Sequence, residues 1–139
     1  WEADNPWTAE ERGAMIEAWA ESANLSVSVV HIEDINDPPR WVEHATKVHG
    51  TGTLVTSDEP TRNLYAQAGW DVHEVELSQR TTLEGWRVRQ TIRMLSTVMD
   101  DEATREVLSA SVPAAVIEWL IENDAVFRCS TFETGVHAG

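Results

Sequence analysis

GTLVTSDEPTRNLYAQAGWDVHE, running from Gly52 to Glu74, packs two short apolar segments and a capped helix into 23 residues. Gly52 to Thr56 is short, apolar and rich in β-branched residues, which reads as a strand. Asp58 then caps a helix that holds Leu64, Tyr65 and Ala68, and Gly69 ends it. Val72, Glu74 and their neighbours make a second short strand. Strand, helix and strand joined this tightly point to a parallel sheet with helices on its faces.

The same alternation extends in both directions. Upstream, Thr8 to Glu11 reads as a capping box, followed by Met15, Ile16 and Trp19 at helical spacing, with the helix fading near Asn24. Leu25, Val27, Val29, Val30 and Ile32 are expected to form a strand. Asp37 should cap a helix that begins at Pro38 and carries Trp41, Val42 and Ala45. Downstream, Thr81 to Glu84 has a capping pattern, and Val88, Ile92, Leu95 and Met99 follow at helical intervals. Asp100 is expected to start another helix. Ser111 and Pro113 start the last, which buries Val116, Ile117, Leu120 and Ile121. The chain reads as one domain, residues 1–139, whose part from 100 to 139 is helical. In open parallel sheets ligands sit at the carboxyl ends of the strands. The informative residues are therefore Glu33 to Trp41, Ser57 to Pro60 and Arg80 to Arg89.

The 139 residues suit a single domain with a real core, and 42% hydrophobic content is ordinary. No apolar run approaches the roughly 18 residues of a membrane span, and no signal peptide is visible. The net charge of -14 argues against nucleic acid or anionic membrane as a partner, since either needs cationic contacts. Lys47 is the only lysine. A diffuse acidic surface so poor in lysine suggests a halophilic protein, with an ordinary acidic cytoplasmic protein as the alternative. The single cysteine, Cys129, excludes an internal disulfide and fits a reducing cytoplasm. His31, His44, His49 and His73 lack metal-ligand spacing, so no protein-held metal is expected.

Arg80, Arg87, Arg89 and Arg93 gather around one helix start near Gly85, a local exception in an acidic chain. Free N–H groups, the helix dipole and guanidinium forks together suit a phosphate. Surface arginines paired with neighbouring carboxylates are the alternative.

NPWTAEER, Asn5 to Arg12, together with LEGWRVRQ, Leu83 to Gln90, resembles the motifs of the archaeal nicotinamide-mononucleotide adenylyltransferases, in a haloarchaeal-like form. HIEDINDPPRWVEH, His31 to His44, is similar to a further motif of that family, and SVPAAVIEWL, Ser111 to Leu120, to its carboxyl-terminal pattern. The resemblance implies a Rossmann-like nucleotidyltransferase fold and transfer of AMP from ATP to nicotinamide mononucleotide, with Mg2+ carried by the ATP. It implies ATP-phosphate binding by Arg89, assisted by Arg87 and Arg80, at Gly85. It also implies stacking of Trp41 on the nicotinamide, with Asp34 and Ser57 at the mononucleotide. Closed homo-oligomers are common in the family. Its histidine motif and first strand lie upstream of NPFT and are expected to precede Trp1, so no catalytic residue is assigned within these residues. Asp4, Pro38, Glu59 and Trp86 stand where the family has other ligand-type residues. That leaves two alternatives: a nucleotide-sensing or interaction paralogue without catalysis, or an adenylyltransferase with another phosphorylated acceptor. Arg12 is expected to be a structural ion-pair partner.

Overall fold

A computed structural model describes residues 5–132 of the chain; Asp4, singled out above, lies outside them. The chain divides into two compact units, one formed by residues up to 29 with those from 80 onward, the other by residues 30–79. Among the described residues the architecture is mixed α/β, with seven α-helices and a two-stranded parallel sheet.

The unit of residues 30–79 contains the stretch from Gly52 to Glu74. β1 (Thr53–Thr56) pairs in parallel with β2 (Asp71–Glu74), with Thr53 opposite Asp71 and Thr56 opposite Glu74. Between them runs α3 (Glu59–Gln67), whose N-cap Asp58 accepts hydrogen bonds from the Thr61 backbone N–H at 2.9 Å and hydroxyl at 2.6 Å. The chain leaves α3 through Gly69 at φ 83°, a left-handed conformation natural to glycine. α2 (Pro38–His49) packs on α3. Val42, Ala45 and Tyr65 are the buried hydrophobics. Tyr65 shares a hydrogen bond with His49 at 2.9 Å and meets Trp70 edge-on at 5.0 Å.

The other unit is helical. α1 (Ala9–Ser22) opens with the expected capping box, in which Glu11 N–H donates to the Thr8 hydroxyl and Thr8 N–H to the Glu11 carboxylate. A short α4 (Arg80–Leu83) leads into α5 (Gly85–Ser96), α6 (Asp101–Leu108) and α7 (Ala114–Glu122), and a 3-10 helix spans Phe127–Thr131. Asp100 caps α6 by accepting from Ala103 N–H. The core joins Ile92 and Leu95 of α5 to Leu108, Val112, Ile117, Leu120, Ala125 and Cys129. Two ion pairs brace it: Arg105 reaches Glu118 at 2.7 and 3.1 Å, and Arg128 reaches Glu11 at 2.6 and 2.7 Å.

Two expectations are corrected. Leu25 to Ile32 is neither strand nor helix. Leu25, Val27 and Val30 stay 45–50% exposed. Alternating apolar residues make a strand only where a neighbour supplies the ladder and a face to bury, and no described strand lies beside them. Thr81 is not a helix cap either. It sits inside α4, and Glu84, with extended backbone at φ -61° and ψ 125°, starts α5 afresh.

Candidate functional site

Arg80, Gly85, Arg87, Arg89 and Arg93 sit on α4 and α5. Arg80 begins α4 and is exposed. Gly85 is the first residue of α5, so its N–H has no partner within the helix and lies at the positive end of twelve helical residues. Arg89, one turn on, folds back over that start: its Nη1 lies 3.0 Å from where a Cβ on residue 85 would be. Glycine is the residue that lets the guanidinium lie there. Arg87 is already engaged. Its Nε donates to the Glu84 carboxylate at 3.1 Å, and its guanidinium lies 4.5 Å from the centre of the Trp86 ring. Trp86 Nε1 donates to the same Glu84 oxygen at 3.0 Å. Glu84 therefore neutralises part of the charge that Arg87 brings, whereas Arg89 has no such carboxylate among its described contacts. Arg93 turns inward, and its Nη2 is buried without a hydrogen-bond partner among the described residues. A cavity of about 350 Å³ in this unit, walled by Leu95, Met99, Leu120 and Phe127, includes none of these arginines.

Within the other unit, Asp34 and Trp41 line one cavity of about 500 Å³, together with Asn36, Asp37, Pro38, Thr61 and Leu64. That size is in the range of small-molecule sites. Trp41 is half-buried and walls the cavity instead of filling the core. Its ring lies 5.8 Å from that of His44, whose Nε2 is 3.0 Å from the Glu33 carbonyl oxygen. That contact ties the Asp34 loop to α2. Asp34 Oδ1 accepts the Asn36 N–H at 2.9 Å, closing a tight turn in which Asn36 has φ 50°. Ser57 is exposed in the turn after β1 and is not among the walls of this cavity.

Thr61 and Leu64 escaped the sequence reading. They stand at i, i+3 on α3, so one face of that helix closes the cavity. Their spacing just after the β1 turn was the available signal. Glu59 pairs with Arg62 at 3.6 Å, and Arg62 reaches Glu74 on β2 at 2.6 Å. The Thr61 hydroxyl and then its N–H hold the Asp58 carboxyl below the usual carboxylate range. Arg12, expected in an ion pair, donates to the Asn5 side-chain carbonyl, and among the described residues no carboxylate pairs with it. Burial pushes the Cys129 thiol up, away from the reactive thiolate. Among the described residues no group of three or more His, Cys, Asp or Glu side chains is placed to hold a metal. No described helix is long and apolar enough to cross a membrane.

No protein-family profile matches the chain. Individual proteins do. The chain is 34% identical over 125 residues to the nicotinamide-nucleotide adenylyltransferase of Haloarcula marismortui, covering 89% of this chain and 61% of that protein. It is 32% identical over 125 residues to the protein of that name from Methanoculleus marisnigri, covering 89% of this chain and 68% of the relative. The chain belongs to the nicotinamide-nucleotide adenylyltransferase family. A third member, from Methanolobus tindarius, is 31% identical over 128 residues, 91% of this chain and 68% of its own. The chain thus spans about three fifths to two thirds of the length of these family members.

Proposed function

We propose that the protein transfers the adenylyl group of ATP to nicotinamide mononucleotide, forming NAD and pyrophosphate. A phosphate oxygen of the mononucleotide attacks the α-phosphorus of ATP. The new P–O bond forms as the bond to the bridging oxygen breaks, and pyrophosphate carries away the electron pair. The observation that carries this reading is family membership combined with a cavity of small-molecule size walled by Trp41 and Asp34. Phosphoryl-type transfer asks the protein mainly for positioning and charge stabilisation. Arg89, lying over the open start of α5, has the geometry to hold an ATP phosphate. Arg80 and Arg87 assist, Arg87 with its charge partly spent on Glu84. ATP enters as its magnesium complex, and the metal supplies neutralisation of the phosphate charge. Trp41 stacks on the base, while Asp34 and Ser57 orient the mononucleotide. β1 and β2 belong, on this reading, to a larger Rossmann-like sheet of the full protein.

The test separates the two substrates in full-length protein. Trp41→Ala should raise KM for the mononucleotide by roughly 5- to 150-fold, the equivalent of a base–aromatic stack of about 1–3 kcal/mol, and leave KM for ATP nearly unchanged. Arg89→Ala should do the reverse. Equal effects of either variant on both substrates would contradict these assignments.

A further inference from the structure

We propose that the cavity among α5, α6 and α7 binds a small organic cation, an ammonium group carried on an apolar body. The cavity lies within the helical unit and holds about 350 Å³, in the range of small-molecule sites. Its deep walls include Leu95 and Leu120, both buried. Met99 and Phe127 stand exposed at its mouth. An apolar body would cover both side chains and remove their surface from water.

The charge around these walls is negative. α5 ends at Ser96 and α7 at Glu122, and both bring their carbonyl ends to the cavity, α5 through Leu95 and Ser96, α7 through Leu120 and Ile121. A helix carbonyl end carries about half a negative charge, which a basic side chain commonly offsets. The last turn of α7 has none. α6 presents its positive amino end, but Asp100 and Asp101 stand on it. Asp100 gives one oxygen to the Ala103 N–H, whereas the carboxylates of Asp101 and Asp124 make no hydrogen bond or ion pair among the described residues. No lysine, arginine or histidine is among the described walls. Arg105 is committed to Glu102 and Glu118, and Arg128 to Glu11. The buried hydroxyls of Ser96 and Thr104 donate to the carbonyls of Arg93 at 2.6 Å and Asp100 at 2.9 Å. What they can still offer a ligand is a lone pair. An anion would therefore meet like charge and acceptors. A bare metal ion lacks a ligand set, since no three such side chains are gathered among the described residues. An ammonium on an apolar body suits both halves of the cavity, and the Phe127 ring adds an attractive face. A cation about 6 Å from one carboxylate, at an effective dielectric near 40, gains roughly tenfold in affinity.

The test titrates full-length protein, isotope-labelled at its methionine methyl groups, with three probes that share a phenyl body: phenethylammonium, 2-phenylethanol and phenylacetate. Salt is held at about 0.1 M KCl, so that screening does not hide the charge effect. Met99 reports the cavity, and Met15 and Met94, which do not line it, serve as internal references. The Met99 signal should move with the ammonium at a Kd below about 1 mM. The alcohol should bind at least about tenfold more weakly, and the acid should leave Met99 unmoved. Asp124→Asn should weaken the ammonium several-fold and leave the alcohol unchanged. Asp124 has φ 52°, a conformation that asparagine adopts readily, so the variant keeps the fold. Equal affinity for ammonium and alcohol in wild type would overturn the proposal. So would a Met99 signal that no probe moves, or a variant that binds the ammonium as wild type does. None of these outcomes bears on the adenylyl-transfer reading, which stands or falls separately.

Discussion

Gly85→Ala should move stability and function in opposite directions. Gly85 is the first residue of α5 and its backbone is outside the left-handed region, so alanine fits the helix there. Exchanging glycine for alanine in a helix gains up to about 1 kcal/mol, less at a terminus. The new methyl, however, would sit 3.0 Å from Arg89 Nη1 and 3.9 Å from its Cζ. The guanidinium is the far end of a flexible side chain and can retreat by a few tenths of an ångström at little cost in stability. If it retreats from the helix start, it loses some or all of a charge-assisted contact to phosphate, worth about 1.5–3 kcal/mol at most. The variant should therefore unfold at the same temperature as wild type or slightly above it. Its KM for ATP should rise, by up to roughly a hundredfold. Thermal unfolding and initial rates over a range of ATP concentrations read the two effects. Unchanged ATP dependence, or a variant markedly less stable than wild type, would refute the placement of Arg89.

Arg128→Ala should cost about 1–2 kcal/mol in urea unfolding, because Glu11, 21% exposed and also part of the α1 capping box, loses its guanidinium partner. Asp58 contributes through a carboxyl pKa that is lower in the folded state than in the unfolded one. Its contribution is present above the unfolded value near 4 and is lost as pH falls through the folded value. The melting-temperature gap between wild type and Asp58→Asn should accordingly be wider at pH 6 than at pH 3. With a net charge of -14, we propose that the protein is salt-stabilised, so its melting temperature should rise between about 0.1 and 2 M KCl as screening relieves self-repulsion.

The sequence made the local signals legible and the long-range ones less so. Thr8, Asp58 and Asp100 each accept the backbone N–H three residues on, because a cap is a contest decided within one turn. The β1–α3–β2 stretch was readable for the same reason: turn, cap and glycine stop are all near neighbours. Leu25 to Ile32 was misread because a strand exists only through its partner, and alternation does not specify one. Thr81 was misread because two start signals compete within a few residues, and the break at Glu84 won. At the site, Trp41 and Asp34 could be nominated from one motif. Thr61 and Leu64 could not, since their part in the cavity depends on how α3 packs beside α2. The arginine cluster was visible as charge, but the engagement of Arg87 by Glu84 and Trp86 is a matter of rotamers that spacing does not encode.

Adenylyl transfer to nicotinamide mononucleotide can be followed through both of its products. The most direct measurement incubates full-length protein with ATP, Mg2+ and nicotinamide mononucleotide, and follows NAD and pyrophosphate together. Formation of the two in equal amounts, abolished when either substrate is omitted, is the expected result. Absence of both products from protein that is folded and binds ATP would contradict it.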